Sequence, residues 1–98
     1  MRLTPTQRQL IRDAVAATFG PSARVRLFGS RTDDQRRGGD IDLLVETDAP
    51  LDTPVQHRLA LLARLERALG ERRIDVVLAH PGDTRPIVAI AREQGVWL

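Results

Sequence analysis

Apolar positions recur along this chain with two periods, one helical and one extended. After Thr4-Pro5-Thr6-Gln7, a cap residue with proline at the first helical position and glutamine at the third, apolar residues return at Leu10, Ile11, Ala14, Val15 and Phe19 before Gly20. That spacing predicts a first helix. The same grammar reappears at Thr53-Pro54-Val55-Gln56, and Leu59, Leu62, Leu65 and Leu69 then form one stripe of a second, longer helix that stops at Gly70. Leu61 and Ala68 fall off that stripe and leave apolar width for a partner. A third, shorter helix is predicted over Pro86 to Gln94, with Ile87, Ile90 and Ala91 facing inward and Gly95 as its stop. Between the helices, Arg24 to Phe28, Ile41 to Glu46 and Ile74 to Ala79 are rich in β-branched or large apolar residues and read as strands. The order is α-β-β-α-β-α, an α/β class of fold. Thr47 to Thr53, with Pro50, and His80 to Asp83, with Pro81-Gly82, read as loops.

Within these strands, period two assigns faces. Arg24 and Arg26 alternate with Val25 and Leu27 and are expected on a solvated face. Ile41, Leu43 and Val45 point to the core, whereas Asp40 and Asp42 project together from the other side, about 7 Å apart at strand rise. Two carboxylates aimed at one spot repel each other and cost stability unless a divalent cation sits between them, and hard oxygen donors at this spacing suit Mg²⁺ or Mn²⁺. Asp75 is an isolated charge in an otherwise apolar strand, expected to want a partner. If its strand lies beside the Ile41 strand, Asp75 joins Asp40 and Asp42 in the ligand set of a two-metal phosphoryl-transfer site.

Composition narrows the alternatives. A chain of 98 residues, 42% hydrophobic and 29% charged, is expected to form one globular domain over 1–98, burying roughly two-thirds of its unfolded surface. Without cysteine, disulfides, thiolate nucleophiles and Cys-ligated metals are excluded. The start, Met1-Arg2-Leu3-Thr4-Pro5, carries no signal-like apolar region, and no apolar run approaches membrane-spanning length, so a cytoplasmic location is expected. The pI of about 10.9 suggests nucleic acid until the counts are compared: 15 basic against 13 acidic residues leave a net charge of +2. All 15 basic residues are arginine, so a small excess drives the pI high. With no basic run longer than a pair and Phe19, Phe28 and Trp97 as the whole aromatic complement, a base-stacking platform is not expected.

Taken singly, the motifs have ordinary readings. Gly-Ser after a strand is usually a turn, Asp-x-Asp a solvated strand edge, and Asp75 a charge paired with Arg72 or Arg73. His57 and His80 are isolated and read as surface residues. Jointly and in order, however, Phe28-Gly29-Ser30, a spacer of nine, Asp40-Ile41-Asp42-Leu43 and then Asp75 resemble the nucleotidyltransferase superfamily of DNA polymerase β. Within it they are most similar to the minimal nucleotidyltransferases that pair with HEPN proteins as antitoxins, and the likeness spans nearly the whole chain. The resemblance implies a polymerase β-like fold, a small mixed sheet flanked by helices. It implies that Gly29, Ser30 and Arg31 hold the phosphates of ATP. It further implies that Asp40 and Asp42 hold two Mg²⁺ ions, and that Asp75 completes the acidic set and activates the attacking hydroxyl. The minimal subgroup commonly has a spacer of ten with an Arg-Gly pair soon after Gly-Ser. Here Asp33-Asp34 stand in that region, so Arg31, Arg36 and Arg37 all remain candidates for the phosphate contact.

The activity expected from the resemblance is transfer of AMP from ATP to a hydroxyl, a tyrosine's, on a partner HEPN ribonuclease toxin. Neutralisation by binding alone and small-molecule nucleotidyl transfer are the alternatives.

Overall fold

The structure is a computed structural model and describes residues 3–29 and 41–98. Helix α1 (Pro5–Phe19) begins with the capping box its sequence announces: the Thr4 hydroxyl accepts from the Gln7 N–H at 3.1 Å, and the Gln7 side-chain oxygen accepts from the Thr4 N–H at 2.9 Å. Helix α2 (Pro54–Leu69) opens with the same residue types but without that cap. There the Thr53 hydroxyl and carbonyl lie 3.1 and 2.8 Å from His57 Nδ1. The His57 ring also stacks on Phe19 with centroids 5.5 Å apart, so this histidine ties the end of α1 to the start of α2 instead of standing alone at the surface.

Strands β1 (Arg24–Phe28), β2 (Ile41–Glu46) and β3 (Ile74–Ala79) occupy the stretches expected of them, and α3 spans Pro86–Gln94. A short strand, β4 (Val96–Trp97), follows and was not anticipated, because two residues after a helix-stopping glycine carry no readable alternation. The sheet order is β3-β2-β1-β4, with β1 antiparallel to both β2 and β4 and β2 parallel to β3 through α2.

Both faces of the sheet are covered, which is why β2 reads Leu43-Leu44-Val45 without a polar break. On one face Val25, Leu27, Ile41, Leu43, Val45 and Val76 pack beneath α1 and α2. On the other, Phe28, Leu44 and Ala79 pack beneath Val88 and Ala91 of α3. Two helix orientations differ from expectation. In α2 the fully buried residues are Leu61 and Leu65, while Leu59 is 57% exposed. At 100° per residue Leu59 lies about 120° round from Leu65, whereas Leu61, Leu62 and Leu69 all fall within about 60° of it. In α3 the inward residues are Val88 and Ala91, and Ile87 and Ile90 face out.

The turn of α3 is set by charge as well as by apolar surface. Glu46, at the end of β2, accepts from Arg26 Nε and Arg92 Nε, each at 3.0 Å. Arg26 also donates to the Arg92 carbonyl at 3.1 Å, and its guanidinium sits 3.6 Å over the Trp97 ring. Arg26 is therefore a half-buried clasp joining β1, β2, α3 and β4, not the solvated strand residue that alternation suggested. Arg24, beside it, is exposed and lies 4.9 Å from the same ring. Burial pushes the Glu46 carboxyl upward, but the bonds and charges of Arg26 and Arg92 outweigh it and hold the group below its usual value.

Candidate active site

Three strands deliver the described part of the acidic site. Their register pairs Phe28 with Asp42 across β1 and β2, and Asp42 with Asp75 across β2 and β3. Residues opposite each other in neighbouring strands share a face, with Cβ atoms about 4.5–5.5 Å apart. Asp42 and Asp75 therefore stand side by side on the face that α3 covers elsewhere. Alternation places Leu44 and Glu46 on the same face as Asp42, and there Leu44 and Phe28 pack beneath α3.

Gly29, directly after β1, makes room for this arrangement. Its φ is +73°, a left-handed conformation that side chains seldom adopt, and a Cβ built on it would lie 2.5 Å from Asp42 Oδ2 and 3.3 Å from Asp42 Cγ. The turn glycine of the Phe28-Gly29-Ser30 motif thus serves the carboxylate as well as the turn. Asp42 is half-buried. Asp75 is not the buried charge its apolar strand suggested: its side chain is 61% exposed, because it begins an outer strand beyond the reach of α3. Arg73 approaches it at only 4.0 Å and is itself 75% exposed, a pair worth well under about 1 kcal/mol.

Asp40, Ser30, Arg31, Arg36 and Arg37 lie outside the described residues. Two of the three expected acids are thus brought together. Among the described residues no group of three or more His, Cys, Asp or Glu is gathered around one point. The donor chemistry nevertheless fits a hard divalent cation: Asp42 and Asp75 are carboxylates at paired positions of neighbouring strands, and the absent Cβ of Gly29 gives the Asp42 carboxylate room to sit against the turn. Ile41, which follows Asp40, donates its N–H to the Arg73 carbonyl at 2.9 Å and fixes where the spacer rejoins the sheet.

Against the family of nucleotidyltransferase domains, the chain matches over residues 8–97. The chain belongs to that family. No curated protein matches it. Membership makes nucleotidyl transfer its general chemistry, with a nucleoside triphosphate and a divalent metal as the usual requirements of such domains. Among the described residues, three helices around a four-stranded mixed sheet are the small α+β architecture of the polymerase β-like nucleotidyltransferases. Among the described residues no helix is long and apolar enough to cross a membrane.

Sequence reasoning missed two features around the site of this nucleotidyltransferase domain. The Arg26–Glu46–Arg92 clasp, which holds α3 over the neighbouring half of the sheet, depends on β1–β2 register and left no local signal. The outer position of β3, with Asp75 on it, follows from strand order among the described residues, which the element sequence alone leaves open.

Proposed function

We propose that this nucleotidyltransferase domain transfers AMP from ATP to a hydroxyl, a tyrosine's, on a partner HEPN ribonuclease toxin, and so acts as the antitoxin of that pair. The observation that carries the reading is the register pairing of Asp42 with Asp75, with Gly29 held against Asp42. Asp40 and Asp42 would hold Mg²⁺, with Asp75 completing the set. Bound there, the ions would supply charge stabilisation to the phosphates during in-line displacement.

The chain's own groups do the rest. Gly29 and Ser30, with Arg31, Arg36 or Arg37, would hold the triphosphate. Asp75, more exposed than Asp42, faces the side from which an acceptor arrives and takes the hydroxyl proton as its oxygen attacks the α-phosphorus. Pyrophosphate departs with the electrons of the broken bond. A positioned base of this kind contributes on the order of 10²–10⁴ in rate.

Intact-mass measurement of the HEPN partner after incubation with ATP and Mg²⁺ tests the reading. Wild type should add AMP, and Asp42→Asn and Asp75→Asn should not, although both should still bind the partner. If wild type leaves the partner's mass unchanged while Asp42→Asn still silences it in cells, binding alone is the function.

A further inference from the structure

Among the described residues no strand pairs with the outer edge of β3. Ile41 N–H donates to the Arg73 carbonyl and Thr47 N–H to the Ala79 carbonyl, each at 2.9 Å, so the ladder to β2 uses the odd-numbered residues of β3. The backbone groups of Ile74, Val76 and Leu78 consequently point away from the sheet. Among the described residues the Arg85 guanidinium reaches the Leu78 carbonyl, and no other bond engages these outward groups. Folded proteins protect such edges with lysine, proline, bulges or a covering element. Ile-Asp-Val-Val-Leu-Ala has none of the first two, and its one charge, Asp75, lies at the start.

Among the described residues the flanks of this edge carry exposed apolar side chains. On the α2 side Val55 is 58% exposed, with Leu59, one helical turn further along α2, 57% exposed, and on the α3 side Ile87 is 41% exposed. Val55, Leu78 and Ile87 line a groove of about 770 Å³ that starts one residue beyond Asp75 and runs along β3. Arg58 also lines it, and Arg73 stands exposed at the start of the strand. Arg85 is already matched, with its guanidinium 2.9 Å from Asp83. Backbone edge, apolar flanks and accessible cations at both ends together describe a seat for an extended segment with acidic ends. A second copy fits less well: two β3 strands paired antiparallel about Val76 would set both Asp75 carboxylates on one face, diagonally across the seam.

We propose that the free edge of β3 is the acceptor-docking site, where a segment of the protein substrate adds to the sheet as a further strand. Its apolar side chains lie over Val55 and Leu59, its hydroxyl-bearing ones share the opposite face with Asp75, and acidic residues meet Arg58 and Arg73. This rests on the nucleotidyl-transfer reading above. A hydroxyl residue docked opposite Asp75 has its Cβ about 4.5–5.5 Å from that of the aspartate. Its oxygen then forms a bond to the α-phosphorus of the nucleoside triphosphate and its proton passes to the Asp75 carboxylate. The bond from the α-phosphorus to the bridging oxygen breaks, and pyrophosphate leaves with that electron pair.

The probe is a fluorescein-labelled peptide, Glu-Val-Ser-Val-Tyr-Val-Ser-Val-Glu, followed by fluorescence polarisation. Wild type should bind it, and Val55→Asp/Leu59→Asp, at exposed positions that leave the melt unchanged, should weaken binding at least about tenfold. Of two N-methylated peptides, each blocking one alternating set of amides, one should lose binding and the other keep it. With ATP and Mg²⁺ the bound peptide should gain AMP. No binding at millimolar peptide, or binding indifferent to the aspartates and to both methylation patterns, overturns the proposal. So does a dimer of the chain alone that Val55→Asp/Leu59→Asp dissociates, which makes a second copy the occupant. Docking that passes these tests without AMP transfer supports the edge as a docking site and refutes the transfer reading instead.

Discussion

Replacing Gly29 by alanine separates backbone strain from damage to the site. The residue's φ of +73° costs a side chain roughly 1–2 kcal/mol. For a domain of this size that is a fall in Tm of roughly 4–16 °C. The added methyl would also lie 2.5 Å from Asp42 Oδ2, short of the 3.4 Å at which ordinary contact begins, so the carboxylate must retreat by about 0.9 Å. A displacement near 1 Å costs on the order of 10²-fold in rate when the displaced group belongs to a pre-positioned site. Gly70→Ala supplies the control, because Gly70 has a similar φ of +82° and a Cβ added there would meet nothing within 4 Å. Both variants should melt lower, read by circular dichroism. Nucleotidyl transfer, read by pyrophosphate release below the melting range, should fall about a hundredfold in Gly29→Ala only. Equal activities in the two variants would refute the inference that Gly29 exists to clear the Asp42 carboxylate.

Other perturbations test the remaining links. Leu61→Ala should lose about 2–5 kcal/mol of stability in urea denaturation, because Leu61 is fully buried, whereas Leu59→Ala, more than half exposed, should stay within about 0.5 kcal/mol. Glu46, held below its usual value in the fold, contributes stability that is present above its unfolded value of 4.5 and is lost as pH falls through the lower folded value. The stability gap between wild type and Glu46→Gln should therefore shrink as pH drops below about 4.5 in denaturation series, and a constant gap would contradict the clasp. Mg²⁺-ATP binding only the folded state should add about 2.7 kcal/mol at a hundredfold excess over its Kd, visible as a raised Tm. Asp42→Asn should lose most of that shift.

Local signals were sufficient for the elements and insufficient for their orientation. The strand limits at Arg24, Phe28, Ile41, Glu46, Ile74 and Ala79 were legible because apolar runs there end at turn residues or charges. The inward side of α3 was not, since Ile87, Val88, Ile90 and Ala91 put apolar surface on more than one side of a nine-residue helix. The choice between them is made by the distant bond from Arg92 to Glu46. In α2, leucines cover so wide an arc that period alone permits a rotation, and contact with α1 and the sheet selects Leu61 and Leu65. The adjacency of Asp42 and Asp75 was readable as a condition on strand order, and β2–β3 register meets it. Exposure of Asp75 was not readable, because an outer strand and an inner one share the same apolar composition here. For Asp40, Ser30 and Arg31 the reading still rests on their motif.

The most direct test of the Asp42–Asp75 site follows two labels of ATP onto the HEPN acceptor in the presence of Mg²⁺. ATP labelled at the α-phosphate should transfer its label to the acceptor, ATP labelled at the γ-phosphate should release its label as pyrophosphate, and Asp42→Asn should abolish both changes. Transfer of the γ-label to the acceptor, or undiminished α-label transfer by Asp42→Asn, would contradict nucleotidyl transfer at this pair of carboxylates.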